Sequence, residues 1–142
     1  MPHRTAIIIT GNPALITNNS RAEILYAELA ALLEALGFTV TLDAGAPQTV
    51  PPAADCWVGH SRGADRLQFA PPDTIVIGIG VPQVVGGNPF PVVNHPQDAM
   101  AQRTYHAGSV VAGADAADDT YHYVLTKDMK RAITEIVKRG RS

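Results

Sequence analysis

The chain opens on an apolar run, Ala6-Ile7-Ile8-Ile9 before Thr10, with no polar position on either face. A segment this short, β-branched and apolar all round suits a strand at the centre of a parallel sheet, covered by helices on both sides. A turn is expected through Gly11-Asn12-Pro13, and the period then changes. Ser20 and Glu23 have the spacing of a capping box; Leu25, Leu29, Leu32 and Leu36 recur at helical intervals; Gly37 stands where a left-handed turn would end the helix. Residues Phe38 to Leu42 alternate as a strand does, so strand, helix and strand predict a right-handed βαβ crossover. The Pro-, Gly- and Ala-rich stretch from Asp43 to Ala54 reads as a loop, and Cys56-Trp57-Val58 as a third buried strand ending at Gly59. A brief polar segment, Arg62 to Gln68, and the break at Pro71-Pro72 lead to a fourth strand, Thr74 to Ile79. Val81 to Pro91 mixes apolar residues with Gly and Pro and carries no clear period. Two more strands are expected at Phe90 to Val93 and Gly108 to Ala112, each followed by a polar loop containing Asp. Thr126 then caps a last helix with Met129, Ile133, Ile136 and Val137 on one face, ending at Lys138-Arg139-Gly140.

These elements predict an α/β fold, a three-layer sandwich around a central, mostly parallel sheet of about six strands. The 142 residues, 46% hydrophobic, match one domain with one core, spanning 1–142. Lys and Arg total 11 against 13 for Asp and Glu, with no long run of one sign, which argues against a nucleic-acid groove or a membrane-binding face. The expected partner is a small molecule. Cys56 is the one cysteine, so neither an internal disulfide nor a cysteine-rich zinc site is available, and a reducing compartment is favoured. No secretory pattern precedes the first strand, and no apolar run approaches the roughly 20 residues that span a bilayer. A cytoplasmic protein is expected, monomeric or homodimeric, with no cofactor.

One pentapeptide changes this picture. Gly59-His60-Ser61-Arg62-Gly63 directly follows a buried strand and matches the G-x-S-x-G elbow in both letters and context. On such a turn the serine is held in a strained backbone conformation, and its neighbours are glycine because a Cβ would strike the strand or the following helix. The strain lifts the hydroxyl above the sheet and aims the next backbone N–H at a developing oxyanion. The simpler reading is a Gly-rich turn whose serine caps a helix; placement after Cys56-Trp57-Val58 favours the nucleophile.

With the elbow, and with Ala6 to Thr10, Gly11-Asn12, Ser20 to Leu36 and Phe38 to Leu42 preceding it in order, the chain resembles the α/β-hydrolases in a minimal, lid-less form. The first two strands of the full-size fold and a long helix before the elbow strand have no counterpart, so the resemblance is to an abbreviated member. It implies a serine hydrolase with the order nucleophile, acid, histidine. The base should lie between the last strand and the last helix, where it reaches back over the sheet; His122, in Asp119-Thr120-Tyr121-His122-Tyr123, fits. His3 is terminal, His106 precedes the last expected strand, and the side chain of His60 should point away from its neighbour Ser61. The acid would accept the imidazole Nδ1–H, and Asp98 follows the strand Phe90 to Val93 where the family places it; Asp115, Asp118 and Asp119 lie nearer His122 in sequence and stay open. The oxyanion donors implied by the family are the backbone N–H groups of Arg62 and Asn12.

The expected reaction is hydrolysis of small, short-acyl esters through an acyl-enzyme. Three other readings compete with it. Arg62-Gly63-Ala64-Asp65-Arg66 looks like the phosphate-binding turn of Rossmann-like nucleotide-binding families, with Ser61 a ligand contact. A metal site could draw on His95 and Asp98 with His106 or His122, although no H-x-x-x-H pair supports it. A hydrolase-like scaffold without activity could serve as an interaction module.

Overall fold

The structure, a computed structural model, describes residues 4–11, 20–45, 49–81, 83–84, 90–98, 104–105 and 120–140. Strand β1 (Arg4–Ile9) is apolar on both faces because both are covered. Ala6 and Ile8 enter one core cluster, Ile7 and Ile9 the other. Such a strand belongs in the interior of a sheet, and β1 lies between β2 (Phe38–Asp43) and β3 (Cys56–His60), parallel to each. The sheet continues through β4 (Ile75–Ile79) to β6 (Val92–Val93), giving five parallel strands in the order β2-β1-β3-β4-β6. A separate parallel ladder joins β5 (Gln83–Val84) to β7 (Thr104–Tyr105).

Helix α1 (Ser20–Ala35) is the crossover between β1 and β2. Its buried stripe is Ala22, Leu25, Tyr26, Leu29 and Leu33, while Leu32 and Leu36 pack at the margin of the same cluster. The expected leucine ridge is therefore rotated by part of a turn, and a tyrosine hydroxyl enters the buried face. The helix gives way at Gly37, whose φ of 100° is the predicted left-handed turn. Helix α2 (Lys127–Arg139) packs on the same sheet face through Met129, Ile133 and Val137. Its N-cap is Thr126, whose Oγ1 accepts the Met129 N–H at 3.1 Å.

The opposite face is covered differently from expectation. The segment after β3 is a 3₁₀ helix, η1 (Ser61–Phe69), that buries Ala64 and Leu67 against Ile7, Ile9, Trp57 and Val76. It also buries Arg66, which holds Asp43 at the end of β2 (Nη1 to Oδ1 3.2 Å, Nη2 to Oδ2 3.3 Å) and donates from Nε to the Thr49 carbonyl at 2.9 Å. Among the described residues the layers are thus two α-helices, a sheet and a 3₁₀ helix. The strand expected over Phe90 to Val93 shortens to two residues, since Pro91 offers a carbonyl to Gly78 N–H but has no N–H of its own. The strand expected at Gly108 to Ala112 and the side chain of Ser20 lie outside the described residues.

Candidate active site

Strand β3 delivers His60 at its C-terminal end, and the chain turns at once into η1. The turn is made by Ser61 with φ 56°, the one positive φ at a non-glycine among the described residues. A serine there costs about 1–3 kcal/mol unless its surroundings impose it. They do so through the flanking glycines. A Cβ on Gly59 would lie 2.7 Å from Cα of Ala64, and one on Gly63 would run into the Ile9 carbonyl oxygen. Both bare positions let η1 fold back tightly over β3 and β1, and the kink at Ser61 is the result. The N–H of Arg62 lies in the first turn of η1, where no helical carbonyl precedes it to accept.

Gly11, just past β1, sits beside this elbow: a Cβ built on it would be 3.7 Å from Cβ of Ser61. Asn12, the expected second oxyanion donor, lies outside the described residues.

From the far end of the chain, the short 3₁₀ helix η2 (Thr120–Tyr123) brings in His122. Its Nδ1 meets Oδ2 of Asp98 at 2.9 Å, with both side chains 1% exposed. Asp98 stands on the turn after β6, closed by its own N–H donating to the His95 carbonyl at 3.0 Å. A carboxylate oxygen accepts, so Nδ1 of His122 carries the hydrogen and Nε2 is left as the basic nitrogen. The pair rests on Gly80 at the end of β4, which has φ 62° and where a Cβ would lie 3.0 Å from Cε1 of His122 and 3.3 Å from Oδ2 of Asp98. Asn94 steadies the same corner, its amide exchanging hydrogen bonds with the backbone of Val81 at 3.0 and 3.2 Å.

The structure therefore joins two of the sequence-selected residues, Asp98 and His122, directly. Ser61 directly follows His60, whose ring lies 4.7 Å from that of His122 between centroids. Between the described residues Ser61 and His122 no hydrogen bond is formed. Of the other candidate acids, Asp115, Asp118 and Asp119 lie outside the described residues, as do His3 and His106. His95 stacks on Tyr121 with ring centroids 4.6 Å apart, and its Nδ1 accepts the Gln97 N–H at 2.9 Å. Among the described residues, no group of three potential ligands is arranged to hold a metal ion.

Two residues of the site escaped sequence reasoning. The side chain of His60 enters a buried network: its Nε2 meets the His122 carbonyl at 2.9 Å and its Nδ1 the Tyr26 hydroxyl at 3.0 Å. Tyr26 in turn accepts the Gly11 N–H at 3.2 Å. Burial first, and the nearby His122 second, push the His60 pKa down to about 3, so the ring is neutral near pH 7. Burial raises the Tyr26 hydroxyl to about 12 and the Cys56 thiol to about 12, which keeps both protonated. The available signal was a tyrosine at helical spacing from Ala22, Leu29 and Leu33, a polar tip on an apolar stripe. No helix among the described residues is long and apolar enough to cross a membrane. No family model matches the chain, and no curated protein is similar enough to count as a relative.

Proposed function

We propose that the protein is a serine hydrolase of abbreviated α/β-hydrolase type, a carboxylesterase for small, short-acyl esters. The observation that carries this reading is the strained Ser61, φ 56°, at the end of a central parallel strand, with the buried Asp98–His122 pair at the neighbouring strand ends. The chain order Ser61, Asp98, His122 is that of the α/β-hydrolase triad.

In the proposed reaction Nε2 of His122 takes the Ser61 hydroxyl proton as Oγ attacks the ester carbonyl carbon. The carbonyl π pair moves onto oxygen, and that oxyanion is held by the backbone N–H groups of Arg62 and Asn12. Asp98 holds the ring in the Nδ1–H tautomer and stabilises the imidazolium. Collapse of the tetrahedral intermediate breaks the ester C–O bond, and the imidazolium protonates the departing alcohol. Water then enters with His122 as base and releases the acid and free Ser61. Among the described residues no connection is long enough to form a lid domain, which favours an open site and small substrates.

The competing phosphate-binding reading of Arg62 to Arg66 loses its main supports. The bare side of Gly63 is filled by the backbone of β1, and Arg66 is spent on Asp43 and Thr49. An inactive scaffold is separated from an enzyme by turnover. Hydrolysis of p-nitrophenyl acetate should be abolished in Ser61→Ala and fall by roughly 10²–10⁴-fold in His122→Ala and Asp98→Asn. Unchanged turnover in either of the latter removes that residue from the mechanism.

A further inference from the structure

The buried chain through His60 and Tyr26 has a single possible direction. A carbonyl oxygen only accepts, so the bond to the His122 carbonyl puts the hydrogen on Nε2 of His60. Nδ1 of that neutral ring can then only accept, and the Tyr26 hydroxyl donates to it. The Tyr26 oxygen keeps a lone pair for the Gly11 N–H. His60 is 1% and Tyr26 5% exposed, so water does not substitute for any member. Among the described residues the groups facing His60 are the His122 ring, the Tyr26 ring and the ring of Tyr123, 5.6 Å away between centroids, and the Asp98 carboxylate also acts on it electrostatically.

We propose that Tyr26 and His60 are positioning residues of the hydrolytic site, tying the turn beside Ser61 to the backbone of the base His122 through this one hydrogen-bonded chain. The role rests on the hydrolase reading given above. Both ends of the chain are main-chain groups of functional loops. At one end the Gly11 N–H is occupied by the Tyr26 hydroxyl, which fixes the peptide just past β1 beside Ser61. At the other end the His122 peptide is held in the orientation that sends its ring to Asp98. A neutral His60 also places no charge beside the imidazolium that forms on His122 during attack. Its desolvated ring stays neutral over the range in which an esterase works, so the chain keeps its direction throughout catalysis. A displacement of about 1 Å at either loop is enough to cost on the order of 10²-fold in rate.

The test compares Tyr26→Phe, His60→Gln, His60→Leu and the double variant Tyr26→Phe/His60→Leu. Each is assayed on p-nitrophenyl acetate at a temperature where circular dichroism shows it folded. Tyr26→Phe should lower kcat by about tenfold or more with KM within about twofold, the mark of misplaced machinery and not of lost substrate contacts. His60→Gln, whose amide N–H can still reach the His122 carbonyl, should retain more activity than His60→Leu. Because the residues act as one chain, the double variant should be no slower than His60→Leu alone. Wild-type kcat in folded Tyr26→Phe and His60→Leu, or losses that simply multiply in the double variant, would overturn the role. Wild-type protein whose Ser61 fails to react with a fluorophosphonate removes the hydrolase reading and this role together. A reactive wild type with an undiminished Tyr26→Phe variant removes the role alone.

Discussion

At the scale of single residues, the site is a set of positions where one missing methyl group matters. Gly80 shows this most clearly. Its left-handed φ of 62° strains any side chain, and its Cβ would sit 3.0 Å from Cε1 and 3.1 Å from Nδ1 of His122. Neither neighbour can yield freely, because His122 is bonded to Asp98 and both are fully buried. Gly80→Ala should therefore lower esterase kcat by more than about tenfold while costing only about 1–2 kcal/mol of stability. Urea unfolding and steady-state kinetics on one preparation check this; a variant with wild-type kcat would mean that the Asp98–His122 pair does not need its present place. The sequence shows Gly80 only as the end of a strand, since the ring above it arrives from some forty residues downstream. His60 and Tyr26 were hidden for the same reason: their partners are backbone groups of distant loops, which leave no pattern in the letters. The kink at Ser61 was legible because what makes it, two flanking glycines whose Cβ positions are filled by backbone, is local.

At the scale of elements, periodicity located the long segments and failed on the short ones. Strands β1 and β3 and the βαβ unit follow from apolar runs whose burial is set by the strand's own neighbours. Helix η1 reads as a polar segment because Arg66, the residue that makes it look exposed, is buried on Asp43. The two-residue strands β5, β6 and β7 are too short to carry any period. The docking of η1 depends on the Gly63 contact with β1, where a Cβ would meet the Ile9 carbonyl and lie 2.7 Å from that of Thr10. Gly63→Ala should destabilise the fold by about 3 kcal/mol, because backbone must move. Gly37→Ala, with φ 100° but nothing within 4 Å of the new Cβ, should cost only about 1 kcal/mol. Denaturant midpoints decide it: equal losses would mean that steric contact is not what holds η1 to the sheet.

At the scale of the whole molecule, five parallel strands bring residues from five parts of the chain to one edge of the sheet. Gly11, the end of β2, Ser61, Gly80 and Asp98 all follow strand C-termini, the end at which open α/β sheets bind their ligands. The architecture was readable from order and pattern; among the described residues the sheet has five strands, and its second face is covered by η1. A buried neutral imidazole at its centre makes global stability depend on pH. The His60 pKa falls from 6.5 in the unfolded chain to about 3 in the fold, so the unfolded state takes up a proton that the folded state refuses. The stabilisation is complete above about pH 6.5 and is lost progressively as pH falls toward 3. Asp43, held below its ordinary 3.8 chiefly by the Arg66 hydrogen bond, adds its own loss as pH falls through and below that value. The melting temperature should thus decline between pH 7 and pH 5, with a shallower slope in His60→Gln; identical slopes would mean that His60 is already protonated in the fold.

The central claim is that the kinked backbone at residue 61 presents a nucleophile to a base held by a buried carboxylate. Its most direct measurement is peptide mapping after reaction with a fluorophosphonate. The account predicts a single phosphonylated residue, Ser61, with labelling absent from Ser61→Ala and slowed by orders of magnitude in His122→Ala. Labelling that persists in Ser61→Ala, or a wild-type protein left unmodified, would contradict it.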